Sequence, residues 1–247
     1  MKIDESQLRN LTAGAKTRTA QWNNILQAAA PKTAAEFGVW KGNFASKILE
    51  KSEFIELYYM IDPWAYLPDW NRAKNVETEN FEDIFAQAMA ATEFAAEKRV
   101  VLRGKTKDVI HKIPDQSLDF AYIDGDHTLR GITIDLIKAL PKMKPGGLIG
   151  GDDFFPKPWP QSNKFEPTMV CPYSIYFAEA HDLPFFCLPF DQFLILNQPG
   201  AGFSFTDLTG NYRDISLARS PDEQGAGKRR QAVRRARRLA RQAAAPR

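Results

Sequence analysis

The sequence predicts an α/β fold built on a doubly wound, mostly parallel sheet of seven strands with one antiparallel edge strand. Short apolar runs alternate with segments of helical periodicity, as is typical of a parallel sheet covered by helices on both faces. The last two strand candidates follow one another without a helix, which predicts the antiparallel edge strand. The clearest strand–helix–strand unit runs from Ser117 to Phe154. The 247 residues, of which 44% are hydrophobic, suit one domain with a sizeable core.

The first half of the chain alternates helices and strands, and individual residues mark their ends. Pro31 ends the first helical segment, Asn43 can cap the next helix, and Asp62 with Pro63 stops the second strand. The predicted elements are a helical segment over 1–30, strands over 33–39, 57–61 and 100–102, a helix from residue 43, and helices over 81–96 and 107–111.

The second half of the chain contains the remaining four strands. Leu129, Ile132 and Leu136 recur at helical spacing, and Pro145-Gly146-Gly147 is expected to break the chain before the strand that follows. The predicted elements are strands over 118–123, 148–151, 185–188 and 193–196 and helices over 129–140 and 169–180.

Charge is distributed unevenly along the chain. The α/β domain is expected over 31–219, and a polar linker and Arg-rich tail over 220–247. The net charge of +3 includes nine basic residues and no acid after Glu223, so the rest of the chain carries −6. One hypothesis is that the tail binds nucleic acid or an anionic membrane surface. The other, which the absence of aromatic residues slightly favours, is a solvated extension.

Composition also indicates where the protein works. No apolar run approaches the roughly 18 residues that span a bilayer, and the first ten residues have no apolar signal core. We therefore expect a cytoplasmic protein. Cys171 and Cys187 belong to no CxxC pair, and we expect reduced thiols that form neither a disulfide nor a zinc site.

Three acids follow the two strands of the 117–154 unit. Asp124 ends one strand, and Asp152 and Asp153 end the other. If these strands are neighbours, the carboxylates meet above the sheet edge at which open α/β folds bind ligands. Because like charges repel, the group needs a proton or a cation such as Mg²⁺, which prefers oxygen ligands. His127 is an alternative base, although a lone histidine more often caps or hydrogen-bonds.

A second group of residues lies at the ends of the first two strands. Gly38 permits a sharp turn and Gly42 a close ligand approach to the backbone. The full GxGxxG dinucleotide pattern is absent, which disfavours NAD. Asp62, 24 residues after Gly38, is placed to accept hydrogen bonds from a ribose. An Asp-Pro turn is the simpler explanation of Asp62 alone, but its combination with the glycines favours a nucleoside ligand.

Taken together, these motifs resemble those of class I S-adenosylmethionine-dependent methyltransferases. The resemblance covers roughly residues 30–200 and is closest to a family with IDGDH and KPGG-GDD signatures. The chain is also similar to the macrolide and aminocoumarin sugar O-methyltransferases, which bind magnesium. The motifs that carry the resemblance are Glu36-x-Gly38-x-x-x-Gly42, Asp62, Tyr122 to His127, and Lys144 to Asp153.

The resemblance implies a Rossmann-like fold and a role for each motif. The cofactor residues it implies are Glu36, Gly38 and Gly42 beside the methionine part, Asp62 at the ribose, Thr106 in the 104–106 loop by the adenine or ribose, and Asp124. The implied metal ligands are Asp124, Asp152 and Asp153, and the implied catalytic residues are Asp124 and His127. The chain differs from the sugar methyltransferases in having His127 and Thr128 where they usually carry an apolar residue and a tyrosine.

The resemblance implies methyl transfer to a small-molecule acceptor, most simply a hydroxyl, with assistance from Mg²⁺. A hydroxyl is a poor nucleophile at neutral pH, and a base or metal ion removes or acidifies its proton. Two alternatives stay open: a nucleic-acid methyltransferase that uses the basic tail, and a non-catalytic binding module of the same fold. A homo-oligomer is compatible with each of these.

Overall fold

The computed structural model describes residues 3–75, 80–159 and 164–212. Residues 1–210 form one compact unit. The predicted linker and Arg-rich tail over 220–247 lie outside the described residues. Within the described part of the chain, no helix is long and apolar enough to cross a membrane.

The described residues contain one sheet of eight strands in the order β3-β2-β1-β4-β5-β7-β6-β8. The strands are β1 (Thr33–Phe37), β2 (Leu57–Asp62), β3 (Arg99–Arg103), β4 (Leu118–Ile123), β5 (Met143–Gly151), β6 (Pro184–Leu188), β7 (Gln192–Leu196) and β8 (Ser204–Asp207). The α-helices are α1 (Glu5–Thr12), α2 (Arg18–Ala29), α3 (Asn43–Leu49), α4 (Phe81–Ala91), α5 (Thr106–Val109), α6 (Leu129–Ala139) and α7 (Val170–Ala180).

The register of the parallel strands places the chemically active residues at one edge. Phe37 of β1 pairs with Ile61 of β2 and with Ile123 of β4, and Ile123 pairs with Gly151 of β5. The residues that follow these positions therefore emerge side by side. Strand order reverses at β1, which has β2 on one side and β4 on the other. Open α/β sheets bind ligands at such a switch point.

The predicted fold class is confirmed, with one more strand than expected. The four residues of β8 pair in parallel with β6. They are partly exposed and too short to form an apolar run of their own, so only the edge of β6 defines them as a strand. The predicted antiparallel strand is β7, which pairs antiparallel with both β5 and β6.

Two local expectations were wrong. Pro145-Gly146-Gly147 does not interrupt the chain before the strand but lies within β5. The pairing of β5 with β4 shifts in register between Leu118 and Phe120, and this irregularity accommodates the three residues. The N-cap of α3 is Gly42 in the left-handed region (φ 75°), and not the side chain of Asn43. A glycine adopts that backbone conformation without a steric penalty, so the helix begins with no side-chain cap.

The first two helices pack against the sheet. Trp22 of α2 is fully buried, and its ring lies 5.4 Å from that of Phe120 and 5.5 Å from that of Tyr122. It occupies the space that the missing side chain of Gly150 leaves, because a Cβ atom there would lie 2.1 Å from the Trp22 ring. This packing fixes α2 beside β4 and β5 and brings its first turn to the carboxyl edge of the sheet.

Candidate active site

The loop over residues 36–42, here called the glycine loop, packs directly on the chain after β4. Gly38 has φ +89°, and a Cβ atom there would lie 2.3 Å from the carbonyl oxygen of Asp124. The Gly38 amide donates to the Ile61 carbonyl (2.8 Å), and the Asp124 amide donates to the Phe37 carbonyl (2.8 Å). Only glycine fits this close approach of two backbones.

Asp62 fixes the shape of the glycine loop. One carboxylate oxygen accepts from the backbone amides of Val39 and Trp40, both at 2.9 Å, and the other from the amide of Trp64 at 2.7 Å. Burial raises the pKa of Asp62, although these three amide donors oppose the shift. A carboxylate offers about four lone-pair positions, so about one is left for a ribose hydroxyl. The expected ribose contact stays a prediction.

Glu36 is the first residue of the glycine loop and lies near the end of β1. Its side chain is buried and accepts a hydrogen bond from the Tyr58 hydroxyl at 2.8 Å. Burial raises the pKa of Glu36 well above its usual range, although the hydrogen bond from Tyr58 opposes the shift. The structure thus gives Glu36 a supporting contact with β2. Direct contact with a cofactor stays a prediction for this residue.

Asp124, Asp152 and Asp153, here called the acid cluster, come together as expected, and two cations of the chain lie among them. Arg18 Nη1 lies 3.2 Å from Asp124 Oδ2 and also contacts Asp152 Oδ2. His127 contacts Asp153 Oδ2 through Nδ1 and lies 3.4 Å from Asp124 Oδ1 through Nε2. The repulsion among the acids is therefore relieved by side chains of this protein.

His127 is protonated at neutral pH in this arrangement. Burial disfavours its charged form, but Asp124 and Asp153 outweigh burial and raise its pKa to about 9. Contact with His127 in turn lowers the pKa of Asp153, against the effect of burial. The imidazole must lose a proton before it can serve as the general base expected from the sequence. The side chain of Asp124, at 20% exposed, is more accessible than that of His127, at 13%.

Gln192, at the start of β7, connects Asp152 of the acid cluster to the core. Its Oε1 accepts from Trp22 Nε1 (2.9 Å) and from the Tyr122 hydroxyl (2.7 Å), and its Nε2 donates to Asp152 and to the Phe190 carbonyl (2.9 Å). Sequence reasoning missed both Gln192 and Arg18. Neither lies in a motif, and each reaches the site only because distant segments pack together.

Thr106 is hydrogen-bonded to a buried acid of the protein. It begins α5, and its side chain hydrogen-bonds the buried carboxyl of Asp135 on α6. Asp135 lies beneath the turn after β4, because a Cβ atom on Gly125 would lie 3.1 Å from Asp135 Oδ2. Burial raises the pKa of Asp135 to about 7, although Thr106 opposes the shift. Thr106 therefore has a structural partner, and its expected cofactor contact stays a prediction.

The segment after β2 covers one side of the acid cluster. Trp70 Nε1 donates to Asp126 at 2.7 Å, and Arg130 donates to the carbonyl of Asp69 at 3.0 Å. The Met169 amide, just before α7, donates to the His127 carbonyl at 2.8 Å. These contacts hold the turn after β4 between two connecting segments.

The donor atoms of the acid cluster suit Mg²⁺ by type, but their present contacts do not. Mg²⁺ requires near-octahedral oxygen ligands at about 2.0–2.1 Å. Arg18 bridges two of the three acids, and His127 contacts the third. Across residues 3–75, 80–159 and 164–212, no group of three or more His, Cys, Asp or Glu side chains is arranged to hold a metal ion. The cluster as built does not fit a metal.

Comparison with known proteins agrees with this geometry. Residues 35–154 match the family model of a methyltransferase domain, a range that begins in β1 and ends just after the acid cluster. No curated protein sequence matches the chain.

Solved structures with the same fold come from bacteria and a fungus. One is a Staphylococcus aureus protein provisionally named a caffeoyl-CoA O-methyltransferase (14% identity, 78% of this chain and 83% of that chain, TM-score 0.53). Others are cofactor-bound Rv0187 from MTB (12%, 80% and 82%, 0.52) and the methyltransferase PaMTH1 of Podospora anserina with bound S-adenosylhomocysteine (SAH) (14%, 79% and 88%, 0.50). At these identities the likeness shows the fold alone.

Proposed function

We propose that this chain, a methyltransferase enzyme by the domain that residues 35–154 match, transfers the methyl group of S-adenosylmethionine to a hydroxyl of a small molecule. The observation that carries the proposal is the closure of the glycine loop onto Asp62 directly beside the acid cluster. The residues proposed to hold the nucleoside and those proposed to accept the proton thus share one sheet edge.

The glycine loop and Asp62 would hold the cofactor. Trp40 at φ 52° and Trp64 at φ 40° turn the backbone so that both amides donate to Asp62, and these contacts fix the loop shape from within the chain. A loop that is held by its own hydrogen bonds has a lower ordering cost on binding. When bound, the cofactor would supply an electrophilic methyl group on a positively charged sulfur.

The acid cluster would act on the acceptor. In an in-line displacement the acceptor oxygen would take the methyl group, and SAH would leave with the electron pair of the broken carbon–sulfur bond. The hydroxyl proton would pass to a carboxylate, for which we propose Asp124. Positioning the two reactants supplies much of the rate in such reactions. The Staphylococcus aureus relative, whose name describes an O-methyltransferase, supports oxygen as the acceptor atom.

Magnesium assistance, cytoplasmic location and the identity of the acceptor stay predictions. Because Arg18 and His127 already contact the acid cluster, we derive no step through a metal.

The alternative of a nucleic-acid substrate depends on the basic tail, which lies outside the described residues. Loss of transfer to nucleic acid after removal of residues 225–247 would support that alternative.

The proposal is tested in two steps on the full-length protein. Calorimetry with SAH should show binding at micromolar to millimolar ligand, and labelled cofactor should then transfer its methyl group to a member of a metabolite extract, identified by mass spectrometry. Asp152→Asn should keep the fold and SAH binding, because a side chain at a strand end carries little of the core. It should lose most transfer, because the acid cluster then lacks one of its carboxylates. Absence of SAH binding at millimolar ligand would contradict the proposed function.

A further inference from the structure

We propose that Arg18 is a positioning residue that takes the place of a divalent metal ion in the acid cluster, so that methyl transfer by this protein needs no added cation. The part of the proposal that concerns transfer rests on the proposed function. The part that concerns cation exclusion does not, because it depends only on the contacts of Arg18.

The location of Arg18 is fixed by the core. Arg18 is the first residue of α2, and Thr17 caps that helix by accepting from the Ala20 amide at 3.1 Å. Trp22, one helical turn later, is fully buried and donates to Gln192. Residues four apart lie on the same face of a helix, so the anchoring of Trp22 directs Arg18 to the same side of the sheet. The Arg18 guanidinium also lies 6.0 Å from the Phe44 ring centre.

The carboxylate oxygens of the acid cluster are largely engaged by nitrogen atoms of the chain. Arg18 contacts Oδ2 of Asp124 and Oδ2 of Asp152, and Gln192 donates to Oδ1 of Asp152. His127 lies against Oδ1 of Asp124 and Oδ2 of Asp153. A divalent ion would have to displace the guanidinium to reach the two oxygens that it now bridges.

A guanidinium suits this bridging role for a physical reason. It is planar, permanently charged and carries five N–H donors, so it can join two carboxylates with directed hydrogen bonds. A metal ion would relieve the same repulsion but would also acidify a bound hydroxyl, which a guanidinium does not do. Arg18 therefore holds Asp124 and Asp152 at a fixed separation and leaves proton removal to a carboxylate.

The test compares full-length wild type with Arg18→Gln, Arg18→Lys and the control Arg9→Gln. Arg9 forms an exposed ion pair with Glu5, and both partners belong to α1. Mn²⁺ alone is the probe, and its binding is followed by electron paramagnetic resonance. Methyl transfer is measured with and without excess chelator, and SAH affinity by calorimetry.

We expect wild type and Arg9→Gln to bind Mn²⁺ weakly and to transfer methyl groups unchanged in chelator. Arg18→Gln should bind Mn²⁺ at least about tenfold more tightly, since it exposes two uncompensated carboxylates. Its transfer should fall at unchanged SAH affinity and recover in part with added divalent cation. Arg18→Lys should lie between them, because a lysine ammonium keeps the positive charge but lacks the planar guanidinium and two of its five N–H donors.

Two results would overturn the proposal: wild type that loses transfer in chelator, or equal Mn²⁺ affinity of wild type and Arg18→Gln. The magnesium dependence expected from the sequence predicts the first of these. If Arg18→Gln does not fold, as judged by its thermal unfolding, Arg18→Lys decides by the same two criteria. Failure of SAH binding in all proteins would contradict the proposed function, while the Mn²⁺ comparison would still decide the role of Arg18.

Discussion

The glycine loop and the acid cluster adjoin one another but are held by different kinds of contact. Around the glycine loop, Asp62 accepts three backbone amides and Glu36 is buried on Tyr58. In the acid cluster, carboxylates at least partly accessible to solvent are compensated by side chains such as Arg18 and His127. The first region depends on backbone geometry and the second on charge balance.

Because of this difference, we expect the two regions to respond differently to substitutions. A backbone network that is buried fails when its geometry changes, because unpaired buried amides are costly. A charge network near the surface can rearrange its partners. We therefore expect substitutions in the glycine loop to affect stability and cofactor binding together, and substitutions in the acid cluster to affect mainly chemistry.

The largest effect is expected for Gly38→Ala. A Cβ atom at Gly38 would overlap the backbone of Asp124 and Gly125, and φ is +89°. We expect a loss of about 2–4 kcal/mol in the free energy of unfolding, measured by denaturant titration, with loss of SAH binding. Gly146→Ala is the matched control, since it has φ +84° with no atom within 4 Å. It should cost only about 1 kcal/mol. Equal losses would show that the clash with the Asp124 segment does not matter.

Asp62→Ala should come next, because it leaves three buried amides of Val39, Trp40 and Trp64 without their acceptor. We expect SAH affinity to fall by about 1–3 kcal/mol, measured by calorimetry. Asp119 accepts backbone amides of Lys32 and Thr33 in a similar way, away from the glycine loop. Asp119→Ala should lower stability and leave SAH affinity intact, and equal weakening by both variants would refute a specific role for Asp62.

Gln192→Leu tests the support that the core gives to the acid cluster. It removes the acceptor of Trp22 Nε1 and of the Tyr122 hydroxyl and the donor to Asp152. We expect a loss of about 1–3 kcal/mol in unfolding free energy from the two unpaired buried donors. Transfer should fall further than SAH affinity does, because Asp152 loses its orientation. A variant with normal turnover would show that Asp152 needs no support from Gln192.

Asp135→Asn should give the smallest effect, visible in its pH dependence. Because the folded pKa of Asp135 is about 7 and its ordinary value is 3.8, the folded state keeps this proton to higher pH than the unfolded state. Its contribution to stability is therefore lost as pH rises from about 4 to 7 and stays lost above that. The asparagine variant should lack this decline, so its free energy of unfolding, measured by denaturant titration, should change less between pH 4 and pH 8 than that of wild type. Parallel stability–pH curves for both proteins would contradict the buried, protonated carboxyl.

Much of the fold was predictable because its signals are local. Strand β4 has the bounds predicted from the sequence, and α6 ends one residue early, since apolar runs, helical spacing and flanking turns act within a few residues. The positions of Asp124, Asp152 and Asp153 at one edge followed from the same pattern, because neighbouring parallel strands bring their ends together. The extension of β5 through Pro145 was not predictable, since it depends on a register shift against β4.

The sequence by itself determined the order of strands and helices, the glycine loop and the presence of three acids at the sheet edge. Only the tertiary structure decided what balances those acids. Arg18 lies 106 residues before Asp124, and Gln192 lies 40 residues after Asp152. No local pattern marks either residue as part of the site. Their roles arise because a fully buried tryptophan packs α2 against the sheet, and burial of that side chain is a property of the whole core.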